Sequence, residues 1–188
     1  MTKVAVVYHS GYGHTEMQAK AVARGVEKVA GAQVTLLTAE EAQNQWELLK
    51  ASDAIIFGSP TYMGSASAQF KAFMEASSKA WFTLDWQDKV AAGFTTSGSQ
   101  SGDKLNTLTQ LAIFAAQHGM IWTGLGLLPG NNNSKGSVND LNRLGSFLGA
   151  MAQANVDQGP EDGPIASDLL TAEHLGERVA KITQRLNK

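Results

Sequence analysis

The sequence predicts an α/β protein with one parallel β-sheet and helices on both of its faces. Short apolar runs rich in β-branched residues alternate along the chain with longer segments whose apolar residues recur every three or four positions. The short runs are apolar throughout, as expected of strands that are buried on both faces. Because crossovers between parallel strands are right-handed, this alternation favours a doubly wound sheet.

The first half of the chain contains three strands, each followed by a helix. The strands are predicted at residues 4–8, 34–37 and 54–58, and the helices at residues 15–30, 40–50 and 66–77. Gly31 ends the first helix, since glycine readily adopts the left-handed conformation of a C-terminal cap. The helix at residues 66–77 follows from Phe70, Phe73 and Met74, which are spaced to share one helix face.

The second half contains two more strands and two more helices around a loop-rich segment. The strands are predicted at residues 90–94 and 120–122, and the helices at residues 105–118 and 175–186. Residues 129–164 hold three of the four prolines, and we expect them to form a loop-rich elaboration with one short helix at residues 140–150. We expect residues 1–188 to form a single domain. Its simplest strand order is 2-1-3-4-5, the flavodoxin-like arrangement.

The composition excludes several classes of function. The chain has no cysteine, which excludes disulfides, thiolate metal sites and thiol redox chemistry. Its 15 Lys and Arg nearly balance its 17 Asp and Glu, so the net charge of −2 favours neither nucleic acid nor an anionic membrane as a partner. The chain lacks an apolar run of transmembrane length and a signal-peptide pattern, and we expect a cytoplasmic protein. No His, Asp or Glu cluster has the spacing of metal ligands, and we expect no metal site.

The loop after the first strand has the pattern of a phosphate-binding turn. Ligands of open parallel sheets bind beyond the carboxyl ends of the strands, which makes the loops after strands one, three and four the candidates. Residues 9–15 read His-Ser-Gly-Tyr-Gly-His-Thr and lead directly into a helix, whose N-terminal N–H groups suit a phosphate. Because no lysine follows the glycines, a Walker A loop is excluded. A plain turn with a helix cap would also account for these residues.

The loops after the third and fourth strands could surround a planar ring. Residues 58–65 place Tyr62 and Met63 between two glycines and after Pro60, which makes a stiff loop with an apolar edge. A loop whose serine caps the next helix is the structural alternative. Residues 95–102 are all small or amide residues, which offer hydrogen bonds with little bulk, although a flexible loop would have the same composition.

Taken together, these segments resemble the flavodoxin-like NAD(P)H:quinone oxidoreductases, the WrbA family. The resemblance covers nearly the whole chain and is strongest at residues 4–15, 53–61, 96–99 and 117–120. Members of that family bind FMN and pass a hydride from NADPH or NADH through the flavin to a quinone in ping-pong order. The resemblance implies the same cofactors, a small-molecule quinone substrate and a homodimer or homotetramer in which a subunit interface completes the site.

The resemblance also implies roles for individual residues. The FMN phosphate would be held by Ser10, Tyr12, Gly13, His14 and Thr15. The isoalloxazine would lie along Pro60, Thr61, Tyr62, Met63 and Gly64. The rest of the flavin would be bound by Thr96, Ser97, Gly98, Ser99, Gln100 and Ser101. His118 would approach the ring as the candidate catalytic residue, and Trp81 and Tyr12 would contact the substrates.

The chain departs from that family at several places, and other functions stay open. Tyr62 and Met63 stand where the bacterial quinone reductases typically have Arg and Phe, and the segment after the second strand is shorter. A flavodoxin-type electron carrier, a general NAD(P)H-dependent reductase of free FMN, azo or nitro compounds, and a chain that has lost FMN are the alternatives. His118 has a structural alternative as well, since a histidine at a helix end can meet the C-terminal dipole.

Overall fold

A computed structural model describes residues 1–187 and shows a parallel sheet with helices on both faces. The strands are β1 (Thr2–Tyr8), β2 (Ala32–Thr38), β3 (Ala54–Tyr62), β4 (Ser65–Ala66), β5 (Val90–Ser97), β6 (Ile121–Trp122) and β7 (Ala150–Gln153). The helices are α1 (His14–Glu27), α2 (Ala39–Ala42), α3 (Trp46–Ala51), α4 (Ala68–Ala76), α5 (Ser78–Phe82), α6 (Lys104–Gln117) and α7 (Ala166–Leu186). Within residues 1–187, no helix combines the length and the apolar character needed to cross a bilayer.

The main strands run in the order β2-β1-β3-β5-β6, and all of these pairs are parallel. Since β5 and β6 are the fourth and fifth strands of the prediction, the predicted order 2-1-3-4-5 is confirmed. Two short strands were not predicted. One is β4, which pairs antiparallel with the end of β3, and the other is β7.

The place beside β5 is shared by two short strands. The first residues of β5 pair with β6, in the register Val90 to Ile121, and its last residues pair with β7, in the register Ser97 to Gln153. The elaboration therefore contributes a strand to the sheet and carries the chain back to its carboxyl edge. The chain leaves β7 at the same edge as the loops that follow β1, β3 and β5.

The short helix predicted at residues 140–150 is wrong. Asn142 adopts a left-handed conformation with φ of 52°, and its side chain accepts the N–H of Ser146 at 2.8 Å. The same side chain donates to the carbonyl of Ser146 at 2.9 Å. Because these bonds replace the backbone partners that a helix would use, the segment forms turns, and Ala150 begins β7 instead.

The predicted helix at residues 40–50 is two short helices, and the last helix is longer than predicted. Thr38 caps α2 and forms a capping box with Glu41, but α2 ends at Ala42 and α3 starts at Trp46. The last helix, α7, starts at Ala166, nine residues before the predicted start at residue 175.

Two apolar clusters cover the two faces of the sheet. On one face, α1 and α7 pack on alternate residues of β1, such as Val4 and Val6. On the other face lies an aromatic cluster in contact through its rings, formed by Trp46, Phe57, Phe70, Phe73, Trp86 and Phe114. Both clusters hold the strands in register and so fix where each strand ends and each loop begins.

Candidate functional site

Three loops and one further segment surround a cavity of about 650 Å³ at the carboxyl edge of the sheet. A volume of this size falls in the range of cavities that bind cofactors and small ligands. The lining residues come from the loops after β1, β3 and β5 and from residues 154–160, which we call the strap. They are Ser10, Tyr12, His14, Thr15, Pro60, Thr61, Tyr62, Met63, Thr96, Ser97, Gly98, Ala154, Val156, Gln158 and Gly159.

The loop after β1 leads into the N-terminus of α1, where the N-cap residue has no side chain to cap the helix. Gly13 is the N-cap residue and has φ of 90°, a conformation that glycine adopts without strain. Ser10 Oγ accepts the N–H of Glu16 at 3.2 Å, whereas the N-cap itself provides no side-chain hydrogen bond. The first N–H groups of α1 and the positive end of its dipole therefore lie at the cavity, and both favour an anion such as a phosphate there.

The loop after β3 forms an aromatic edge at the mouth of the cavity. Pro60 and Thr61 are buried, and the Thr61 hydroxyl is held at 2.8 Å from that of Thr95. Tyr62 and Met63, which follow, are exposed. The ring of Tyr62 meets that of Tyr12 edge to face, with the centroids 6.4 Å apart. The mouth is thus lined by surfaces that can contact a planar ring.

The residues of the loop after β5 that were predicted to bind the flavin line two different cavities. Thr96, Ser97 and Gly98 line the cavity at the carboxyl edge. The Thr96 hydroxyl donates to Oε1 of the fully buried Gln18 at 2.6 Å, which ties the end of β5 to α1. On the other side of the loop lies a second cavity of about 1220 Å³, and it is lined by residues that include Gln100, Ser101, Trp122, Arg143 and Met151.

The strap closes the cavity and was not found from the sequence. The carbonyl of Gln158 lies 2.9 Å from Nε2 of His14. A Cβ on Gly13 would lie 2.8 Å from Cγ of Pro160, and one on Gly98 would lie 2.5 Å from Cγ1 of Val156. Glycine at both positions is what allows the strap to approach the two loops. To predict the strap one would first have to predict β7, because the segment after a parallel strand belongs at the carboxyl edge.

Several predicted residues lie outside this cavity. Gly13 lies against Pro160 of the strap, and the carbonyl of Gly64 accepts a hydrogen bond from Asn106 Nδ2 at 2.7 Å. Ser99 is exposed, and its carbonyl points to the side chain of Lys104. Gly13 and Gly64 have no side chain, and all three residues help to shape the loops that line the cavity.

The structure does not bring His118 and Trp81 into this cavity. His118 is 2% exposed, stacks on Trp86 with the ring centroids 4.1 Å apart, and has Nε2 2.9 Å from Oγ of Ser77. Burial lowers the pKa of His118 from its ordinary value to about 4. His118 and the half-exposed Trp81 line a separate, mostly apolar cavity of about 570 Å³ with residues of α4 and α6.

The residues around the carboxyl-edge cavity fit FMN. The cradle at Gly13 and the first turn of α1 suits the phosphate, and the aromatic edge suits the ring. A Cβ on Gly98 would strike Val156 of the strap, so glycine there lets the loop after β5 and the strap line the same cavity. Each of these features would serve one part of the same molecule.

The chain is similar to flavin proteins along its whole length. A model of the NADPH-dependent FMN reductase family matches residues 33–127. The chain is 44% identical to "Flavodoxin FldP" of Pseudomonas aeruginosa, with 100% of both chains covered. It is 32% identical to an "NAD(P)H dehydrogenase (quinone)" of Trichlorobacter lovleyi, with 99% of both covered. A solved flavodoxin, a WrbA-like protein from Agrobacterium tumefaciens, superposes with a TM-score of 0.76 at 42% identity, covering 98% of this chain and 99% of that one.

The buried His118 leads to a prediction about stability and pH. The unfolded chain protonates this histidine near pH 6.5, whereas the folded chain protonates it only near pH 4. The unfolded state therefore binds more protons between these values, and the free energy of unfolding rises with pH from about 4 to about 6.5. Urea unfolding of the wild type and of His118→Gln should show that the wild type loses about 3 kcal/mol more than the variant as the pH falls from 7 to 4.

The comparison with the variant isolates the contribution of His118. Burial also lowers the pKa of His9 and of His174, but both are present in the two proteins and cancel in the difference. Parallel stability curves for the two proteins across this pH range would show that the imidazole of His118 titrates normally in the folded chain.

Proposed function

This chain belongs to the NADPH-dependent FMN reductase family, and on that premise we propose that it is an FMN-dependent oxidoreductase that carries hydride from NADPH or NADH to a quinone. The observation that carries the proposal is the cavity at the carboxyl edge, where loops after three parallel strands and the strap meet around one space. In open parallel sheets this edge is the usual ligand site. When bound, FMN would supply the redox chemistry, which a chain without cysteine thiols obtains from a cofactor.

The residues of the cavity would bind and orient the cofactor in two parts. The first turn of α1, with Ser10 and Thr15, would hold the phosphate, since the N–H groups and the helix dipole favour negative charge there. The loops that contain Thr61 and Ser97 would hold the ring. Both loops are fixed from behind by buried hydroxyl and amide groups, so little conformational freedom is lost when the ring binds.

The mouth of the cavity would admit the nicotinamide and the quinone in turn. Tyr12 is 77% exposed and Met63 is fully exposed, so neither is committed to the core and both are free to contact a substrate. A single opening that serves both substrates agrees with ping-pong order. The chain's own contribution would be to stack the donor against the ring and to exclude water from the contact.

The separate cavity that contains His118 and Trp81 supports a proposal about assembly. It is mostly apolar, and the exposed side chains of Trp81 and Ile113 lie on it. We propose that this face packs over the flavin cavity of a second copy of the chain, which would form a homodimer or homotetramer and bring Trp81 to the substrate side. This arrangement would reconcile the predicted roles of the two residues with their distance from the cavity in their own chain.

A second candidate function is that of an electron carrier that docks on partner proteins. The edge-to-face contact of Tyr12 and Tyr62 favours it, because aromatic rings at the mouth would cover the flavin and hinder a hydride donor. The relative named "Flavodoxin FldP" points the same way. The net charge of −2 is less favourable, because carriers that meet basic partners typically present a strongly acidic surface.

Anaerobic reduction tests the proposed function. The protein loaded with FMN should lose its yellow absorbance within seconds of adding NADPH or NADH, and benzoquinone should restore it, with one quinone reduced per nicotinamide oxidised. A flavin that binds but is bleached by neither nicotinamide would support the electron carrier. A protein that cannot be loaded with FMN would contradict both functions.

Two glycine variants locate the flavin in this experiment. In Gly13→Val, the new side chain meets Pro160 of the strap and displaces the loop that leads into α1 and would hold the phosphate, and we expect FMN binding to be lost. The matched control is Gly31→Val, since Gly31 also has a positive φ of 78° but its Cβ would meet only the Gln184 side chain at 3.7 Å. Both variants carry similar backbone strain, but only the first should lose FMN.

A variant at Trp81 tests the proposed assembly. We expect light scattering to give a dimer or tetramer for the wild type and a smaller particle for Trp81→Glu, because a carboxylate in an apolar contact is strongly unfavourable. Quinone reduction should fall at least tenfold while the FMN content of each chain stays unchanged. Leu128→Glu, at an exposed apolar residue outside this cavity, serves as the control. A monomeric wild type with full activity would contradict the assembly.

A further inference from the structure

Lys104 is a buried cation in a position that the fold does not favour. It is the first residue of α6, where the positive end of the helix dipole repels a cation. Its side chain is 0% exposed, and burial lowers the pKa of its ammonium group to about 8. A lysine that is both buried and placed at the N-terminus of a helix needs a compensating interaction or a function.

The ammonium group of Lys104 is fully used in hydrogen bonds to one loop. Nζ donates to Oγ of Ser97 at 2.7 Å, to the carbonyl of Ser99 at 2.7 Å and to the carbonyl of Gln100 at 3.0 Å. All three acceptors belong to the loop after β5. That loop also presents Ser97 and Gly98 to the flavin cavity, so Lys104 lies directly behind one wall of the cavity.

The charge of Lys104 is not balanced within the fold. Among residues 1–187 no carboxylate lies within salt-bridge distance of its Nζ. The charged groups that act on it are Asp168 and Arg143, whose opposite effects partly cancel. These two already form a buried bidentate pair with both N–O distances at 2.8 Å. A buried cation with satisfied hydrogen bonds and no counter-charge favours additional negative charge on the far side of the loop.

We propose that Lys104 is a positioning residue that fixes the loop after β5 and favours reduced FMN over oxidised FMN in the adjoining cavity. The inference rests on the proposed function. A hydride from the nicotinamide brings two electrons and one proton and leaves NAD(P)⁺, so the site gains one negative charge beside the wall that Lys104 supports. A positive charge fixed there stabilises the site after the transfer more than before it.

The same charge would act through the geometry of the loop. Because Nζ draws the carbonyls of Ser99 and Gln100 toward α6, these acceptors are turned away from the cavity. The wall of the cavity is then formed by the backbone of Ser97 and Gly98 with fewer carbonyl dipoles that would repel a negatively charged ring.

The test compares the binding of oxidised and reduced FMN in Lys104→Met, which has a similar length and no charge, and in Lys104→Gln, which keeps N–H donors. Reduction uses dithionite and a reference dye, so no nicotinamide is involved. We expect both variants to lose at least tenfold in the preference for reduced over oxidised FMN, which equals about 30 mV for a two-electron couple. The exposed Lys135→Met is the control for net charge and should leave the preference unchanged.

A structural role alone would give a different result. Lys104→Met would then weaken both forms of FMN equally and leave the potential unchanged, or Lys104→Gln would restore the wild-type preference, and either outcome would overturn the inference. The proposed function is judged separately, from the reduction of the wild type by NADPH or NADH. If NADPH or NADH reduces the wild type normally and the variants have unchanged potentials, the role of Lys104 is contradicted and the proposed function stands.

A measurement on the wild type covers the case in which the variants do not fold. Linkage is reciprocal, so a tenfold preference for reduced FMN requires the pKa of Lys104 to be at least one unit higher in the reduced complex than in the oxidised one. Asp168 and Arg143, the charged groups that act on the ammonium group, are present in both complexes and affect both pKa values. NMR of ¹³Cε-labelled lysine reports this pKa directly, and equal values in the two complexes would overturn the inference.

Discussion

The site depends on the pairing of β7 with the last residues of β5. This pairing returns the chain to the carboxyl edge after a long excursion and starts the strap at Ala154, whose N–H donates to the carbonyl of Ser97 at 3.1 Å. The buried pair of Arg143 and Asp168 holds it, because Asp168 Oδ2 also accepts the N–H of Gln153 at 2.9 Å. Without β7 the cavity would have three walls, since its fourth wall is the strap.

The loop after β5 is held from two sides, and this explains how a run of small residues can be well ordered. The strap and β7 contact it on the cavity side, where Gln153 Nε2 donates to the carbonyl of Gly98 at 3.2 Å. Lys104 holds it from the side of α6. A loop restrained in this way can present backbone groups to a ligand without first losing conformational freedom, which is the usual disadvantage of flexible binding loops.

The sequence was sufficient to predict the strands and their order but not the strap. Uniformly apolar runs such as Val4–Tyr8 identify buried parallel strands whatever surrounds them, and the loops after them must then share one edge. The short strand β7 carries no such signal, because Ala150–Gln153 is brief and follows apolar residues that mimic a helix. The hydrogen bonds of the Asn142 side chain exclude that helix, and the periodicity of apolar residues does not reveal them. Likewise, nothing in the sequence places Lys104 behind the loop, since its burial arises from packing between α6 and the loop.

The central proposal is that the first turn of α1 would bind the phosphate of FMN while the loops after β3 and β5 would hold its ring. The most direct test is the ratio of the dissociation constants for riboflavin and FMN, measured by quenching of flavin fluorescence on the purified protein without any reductant. The two ligands share the ring and differ in the phosphate. We expect FMN to bind roughly 100-fold more tightly than riboflavin, equivalent to about 2.7 kcal/mol. Equal affinities for riboflavin and FMN would contradict it.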